Sequence, residues 1–400
     1  MKVLNQAALL ALLWTLISLT SGVAFGVEPG VEPTQSNPYV HWKNGPSHEA
    51  GFFLIGVWLQ SPGKAKQYLN AGFNTYVGLW KGPTAAQLTE LKEAGMKVVC
   101  HQNALGLSHV DDSTIIGWMH GDEPDNAQSL GNGKGYGPPI LPKSIVQDYA
   151  KLRSRDPSRP VLLNLGQGVA WDQWHGRGVR TNHPEDYPEY VKGCDIASFD
   201  IYPVVHSKPA VSGKLWYVAR GVERLTEWVE GKKAVWNCIE CTRINSATTK
   251  PTPSQVNSEV WMSIIHGSMG LIYFVHEWVP KFNESALLSA PEMLQAVTAI
   301  NRQVTALAPV LNSRTIDGEA AVSSGNGNVP IAIMMKKYRD SIYLFAVGMR
   351  DGRSTATFTT KGVSGQREVE VLGENRTLPS KDGIFKDQFE PYEVHLYRMR

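Results

Sequence analysis

From residue 51 onward, short apolar runs alternate with amphipathic stretches. The runs at 52–59, 74–80, 96–101, 114–120, 161–165, 196–201, 234–239 and 271–275 are rich in Val, Ile, Leu and aromatic residues. Each is too short for a buried helix, so they predict eight strands. Between them, helices are predicted over 62–70, 84–94, 143–153, 215–229 and 252–266, with a last one over 291–307. Two helix starts are spelled out as capping boxes: Thr84 with Gln87, and Thr252-Pro253 with Gln255. Gly72 and Gly95 close the first two helices. Eight strands interleaved with helices predict an α/β fold, a (β/α)8 TIM barrel over 51–312. A doubly wound sheet would need a glycine fingerprint at the first strand-to-helix turn. That turn reads Val57-Trp58-Leu59-Gln60-Ser61-Pro62-Gly63, which is not one. The glycine-rich stretch 131–137 runs into Pro138-Pro139 and predicts a loop over the barrel mouth.

Past residue 312 the texture changes. Strand-like alternation at 331–335, 342–347, 354–359, 368–372 and 393–397, with Asp351-Gly352 and Asp382-Gly383 as turns, predicts a small antiparallel β-sandwich over 313–400. At the other end, Lys2, an apolar stretch over 7–19, and small residues at Ala24 and Gly26 have the layout of a cleavable signal peptide over 1–26. The apolar stretch is shorter than the ~20 residues a span needs. A secreted or periplasmic protein with no membrane span in its mature chain is expected. Residues 27–50 read as an irregular leader.

Composition narrows the function. Lys plus Arg number 39 and Asp plus Glu 37, for a net charge of +2. A nucleic-acid protein would show a basic excess, so no nucleic-acid partner is expected. Four cysteines, Cys100, Cys194, Cys238 and Cys241, are too few for a disulfide scaffold and read as buried thiols. No metal ligand set and no cofactor motif stand out, and nothing in the sequence sets the oligomeric state. The 12 Trp are unusual.

A (β/α)8 barrel works at the C-terminal ends of its strands. Strand four delivers Trp118, Asp122 and Glu123 there, and strand seven delivers Glu240. Trp58, Trp80, Trp118, Trp171, Trp174 and Trp278 fall on the same expected rim, with His101, Asn164, Asp200 and Tyr202 as polar partners. Paired carboxylates over aromatic surfaces suit glycoside hydrolysis, because sugar faces stack on indoles while sugar hydroxyls need polar partners.

On these residues the chain resembles the clan of retaining glycosidases built on (β/α)8 barrels, which includes β-galactosidases, β-mannanases and cellulases. The stretches Gly117-Trp118-Met119-His120-Gly121-Asp122-Glu123-Pro124 and Ala234-Val235-Trp236-Asn237-Cys238-Ile239-Glu240 carry the resemblance. It implies Glu123 as acid/base and Glu240 as nucleophile. It also implies that Tyr202 bonds the nucleophile, that Trp278 is a platform under the reacting sugar, and that His101 is a hydroxyl contact. The clan has Asn where this chain has Asp122, so Asp122 either alters the local bonding or is itself the working acid. The expectation is a glycoside hydrolase acting on a neutral, β-linked oligo- or polysaccharide. The alternative is a glycan-binding protein that kept the barrel and lost hydrolysis.

Overall fold

The computed structural model describes residues 37–400. The expected signal peptide and the start of the leader lie outside the described residues. Eight strands form a closed barrel in chain order. They are β1 (Leu54–Trp58), β2 (Thr75–Val77), β3 (Lys97–His101), β4 (Ile115–Met119), β5 (Val161–Leu165), β6 (Ile196–Phe199), β7 (Ala234–Glu240) and β8 (Gly270–Phe274). All neighbours pair in parallel, and β8 closes on β1 through Leu54–Gly270 and Val57–Tyr273. The helices between and after them are α1 (Ala65–Asn70), α2 (Ala85–Ala94), α3 (Ala104–Ser108), α4 (Pro142–Arg155), α5 (Tyr187–Tyr190), α6 (Trp216–Trp228), α7 (Pro253–Ile265) and α8 (Pro291–Leu311). Both expected capping boxes form: Thr84 and Thr252 each accept from the amide of the Gln three residues on.

The period of two along each strand sorts its side chains. Leu54, Val77, Val99, Leu162, Ile196, Trp236, Cys238 and Ile272 pack together in the barrel interior. Their strand neighbours Ile55, Tyr76, Val98, Leu163, Ala197, Val235 and Leu271 join the larger core beneath the helices. Parallel strands buried on both faces are nearly all apolar, which is why the eight runs stood out. The far end of the barrel is plugged by a 3-10 turn at Pro38–His41. There the Tyr39 hydroxyl donates to the Met269 carbonyl (3.2 Å) and accepts from the Trp236 indole (2.6 Å).

The C-terminal part is an eight-stranded antiparallel sheet. Its strands are β9 (Ala320–Ser324), β10 (Ile331–Tyr338), β11 (Ser341–Gly348), β12 (Ser354–Thr360), β13 (Gln366–Val371), β14 (Arg376–Lys381), β15 (Ile384–Phe389) and β16 (Val394–Met399). In space the order is β10-β11-β16-β13-β14-β15-β12-β9. The two layers of the expected sandwich belong to one sheet. At the β14–β15 turn only Lys381 and Ile384 are in register, and the sheet folds over there. Phe358 and Phe385 from one side then meet Tyr397 from the other, at centroid distances of 5.2 and 5.0 Å. The sheet rests on the barrel's helices. Trp261 of α7 stacks on Phe345 (5.3 Å), and the Ser258 hydroxyl donates to the Tyr392 carbonyl (2.6 Å).

Candidate active site

After β4 the chain turns sharply through Gly121-Asp122-Glu123-Pro124-Asp125. Glu123 has a φ of +43°, in the left-handed region that residues with a Cβ rarely occupy. Such a conformation costs about 1–3 kcal/mol and persists only where the surroundings enforce it. Here they do. The Glu123 amide donates to the Asn164 carbonyl at the end of β5 (3.1 Å), and its own carbonyl accepts from Asn126 (3.0 Å). Asp125, wholly buried, accepts from the Gly166 amide (2.8 Å) and the Tyr187 hydroxyl (2.9 Å), with Arg177 at 4.0 Å to balance its charge. The turn is thereby locked to the top of β5.

This locking gathers three carboxyls from two strands. Asp122 accepts from the Asn164 side-chain amide at 2.9 Å, and Asn164 in turn accepts from Ser198 at 2.7 Å, which fixes which way the amide faces. Glu123 Oε1 lies against Gly166, where a Cβ would sit only 2.8 Å away. The Glu123 carboxyl stands beside Asp200 from the end of β6, with Tyr202 close by, and Asp200 Oδ1 is buried without a hydrogen-bond partner. Burial, and then the charges of Asp200 and Asp122, push Glu123 well above the usual carboxylate range. Burial and the charge of Asp122 raise Asp200 to about 7. Burial raises Asp122 to about 6, while the Asn164 hydrogen bond works against the rise. Asp122 is nonetheless reached by solvent. Near neutrality, then, Glu123 carries the proton and Asp122 the charge.

Glu240 does not join this group. It is fully buried, and its two oxygens accept from the backbone amides of Val204 (2.6 Å) and Val205 (3.1 Å). Glu259 of α7 lies beside it, with both carboxyl oxygens buried and without a hydrogen-bond partner. Burial raises Glu240 to about 7 and pushes Glu259 well above the usual carboxylate range, so the pair favours a proton. Glu240 ties the β6–α6 loop to the end of β7. An enclosed, amide-capped carboxyl offers no open face to a substrate, so the opposition of Glu123 and Glu240 read from strand ends is not what the fold builds. Asp200 stands beside Glu123 instead.

The aromatic residues divide in the same way. Trp118 is fully buried on the helix side of β4, where its indole N–H donates to Asp156 (2.9 Å), so it does not face the rim. Trp58 packs in the barrel interior with Tyr202. Trp80 and Trp278 are open on the rim, 69% and 49% exposed. His101 is exposed at the end of β3, with Nδ1 3.3 Å from the Met119 carbonyl. Trp171 and Trp174 cluster with His206, at centroid distances of 5.5 and 6.3 Å, and the Trp174 indole donates to Asn126 (2.9 Å). Beside them a pocket of about 680 Å³ opens between the loops after β5, β6 and β7. Gln167, Trp174, Tyr202, His206 and Ile244 are among the residues lining it. The four cysteines are buried and unpaired.

No protein-family pattern and no curated protein sequence matches the chain. Solved structures match it in fold. The structure of AmyP in complex with maltose superposes with a TM-score of 0.52 at 8% identity, over 87% of this chain and 96% of that one. The α-amylase from Geobacillus thermoleovorans complexed with acarbose gives 0.51 at 11% identity, over 88% and 99%. The likeness spans the barrel and the C-terminal sheet together and is one of fold.

The sequence singled out neither Asn126 nor His206, and read Gln167 only as the last residue at the end of strand five. Asn126 lies three residues past Glu123, within the same turn. His206 lies four residues past Tyr202 and carries no local signal.

Proposed function

We propose that the protein is an exported glycoside hydrolase acting on a neutral oligo- or polysaccharide. The observation that supports this most is the gathering of Glu123, Asp200 and Asp122 at the ends of β4 and β6, where burial and the neighbouring anions favour a proton on Glu123. Glu123 is the general acid and donates its proton to the leaving glycosidic oxygen. Asp200 and Tyr202 hold Glu123 in place, and the negative field of the cluster keeps its proton on at neutral pH. Asp200 stands beside Glu123 and supports it. With Glu240 enclosed, the retaining course passes to Glu123 with Asp122, and it requires the two carboxyls to stand about 5–5.5 Å apart across the bound sugar. Asp122, oriented by Asn164, faces the positive charge that develops at the anomeric carbon and takes the nucleophile's part.

Asp122, where the clan has Asn, accepts from the Asn164 side-chain amide. The solved structures of similar fold include an α-amylase, whereas the resemblance in sequence points to β-linked substrates. The first experiment is therefore a panel of α- and β-linked chromogenic glycosides and polysaccharides. On the substrate that is cleaved, Asp122→Ala should lose turnover and recover it with azide. Azide rescue of Glu240→Ala in place of Asp122→Ala would overturn the assignment, and binding of a glycan without any cleavage would favour the binding-protein reading.

A further inference from the structure

The reacting carboxyls do not lie at the blind end of a pocket. In a closed eight-stranded barrel β2 faces β6 and β8 faces β4, so the loops can be placed around the mouth. On one side is the pocket between the loops after β5, β6 and β7. His206 Nδ1 accepts from the Lys208 amide (3.1 Å), so its Nε2–H donates to the Gln167 side-chain oxygen (2.8 Å). That bond leaves the Gln167 amide hydrogens for a ligand. Trp174 and Tyr202 wall the pocket.

On the opposite side, after β2, Trp80 stands in water. On the pocket's own side, after β8, a small hairpin closed by paired Glu277 and Asn283 backbone bonds of 3.0 and 2.8 Å displays Trp278 and Phe282 side by side, and the Trp278 amide donates to the carbonyl of the pocket residue Ile244 (2.7 Å). Their ring centroids are 4.8 Å apart, and Phe282 is 53% exposed. Exposed apolar surface grouped on one rim marks a binding surface, and indole faces suit sugar faces. Contacts suited to sugars thus lie on both sides of Asp122 and Glu123, and Asp122 between them is open to solvent.

We infer that the cleft holds an extended saccharide chain running from Trp80, across the carboxyls, to the Trp278–Phe282 pair and the pocket beside Gln167, Trp174 and His206, so that cleavage falls inside the chain. This rests on the proposed glycosidase reading but has its own readout. The probe is a ladder of linear oligosaccharides of increasing length, drawn from the polysaccharide that the panel identifies or, if none is cleaved, from several common glucan, xylan and mannan series. Binding is measured by calorimetry to the Glu123→Gln full-length chain, and product patterns are measured with the wild type.

Affinity should rise with each added unit until both arms are filled, and long chains should be cut internally. Trp80→Ala, at an exposed position that does not threaten folding, and His206→Ala should each lower kcat/KM about tenfold on the longest chain and clearly less on the shortest one cleaved, as expected for a lost stacking or hydrogen-bonding contact. Release of single units from one end, an affinity that is flat beyond two units, or an equal loss on every length would overturn the inference. Binding that grows with length without any cleavage would sink the glycosidase reading and leave this one standing. No binding to any member would sink this one.

Discussion

Gly166→Ala tests the position of Glu123 directly. Gly166 has φ −84° and ψ −174°, which alanine adopts freely, so any effect comes from the added methyl. That methyl would lie 2.8 Å from Glu123 Oε1, 2.8 Å from Asn126 Nδ2 and 2.9 Å from Asn126 Oδ1. Ordinary contact begins near 3.4 Å, so neighbours must retreat by about 0.6 Å. Asn126 is held by Trp174, and Glu123 by its turn with Asp200 beside it, so neither moves freely. Overpacking costs about 1–3 kcal/mol, offset by about 0.4–1 kcal/mol from the stiffer unfolded chain. A net loss of about 1–2 kcal/mol, seen as a drop of a few degrees in Tm, is expected. Misplacing a catalytic group by 1 Å costs about 100-fold, so kcat should fall roughly 10- to 100-fold. The loss should be larger for aryl glycosides with poor leaving groups, which depend more on the donated proton. Gly121→Ala is the control, because a Cβ there meets nothing within 4 Å. Wild-type kcat in Gly166→Ala, or an equal loss in Gly121→Ala, would refute the placement of the acid.

Three further outcomes follow from the same structure. Activity should be bell-shaped in pH, rising as Asp122 ionises near pH 6 and falling where Glu123 loses its proton; Asp200→Asn removes a facing anion and should move the alkaline limb to lower pH, and an unmoved limb would count against that role. The raised Glu240–Glu259 pair favours the protonated folded state, so its stabilisation is full below the unfolded Glu value of about 4.3 and is lost as pH rises through about 7. Glu259→Gln should therefore flatten the fall in Tm between neutral and alkaline pH, and an unchanged slope would contradict the raised proton affinity of the pair. Trp118→Phe should cost about 1–3 kcal/mol by leaving the buried Asp156 oxygen without its indole donor, with KM unchanged, whereas a raised KM would return Trp118 to the substrate face.

The barrel was legible because parallel strands covered on both faces read as apolar runs, and because Thr84, Thr252, Gly72 and Gly95 marked helix ends by local chemistry. In the C-terminal sheet the strands at Ala320–Ser324, Arg376–Lys381 and Ile384–Phe389 were missed. All three have exposed faces rich in Ser, Thr or charged residues, and strand pairing across the sheet orders them rather than local preference. Of the candidate site, Asp122, Glu123, Asn164, Asp200 and Tyr202 could be named by reading strand ends, and the structure brings them close together there. Trp118 was misplaced because the facing of a strand's last residues depends on register.

By itself the sequence determined the order of strands and helices, the appended β layer and the acidic turn after β4. It also determined the wealth of tryptophan at loop positions. These are local matters of periodicity, capping and composition. The tertiary structure alone decided which acid stands opposite which. Glu240 and Asp200 both follow apolar strands and look alike in the chain. One meets two backbone amides and Glu259 and is enclosed, while the other meets Glu123 and Tyr202 at the mouth. Neighbours brought in from distant parts of the chain set each carboxyl's exposure and proton affinity, and therefore what it can do.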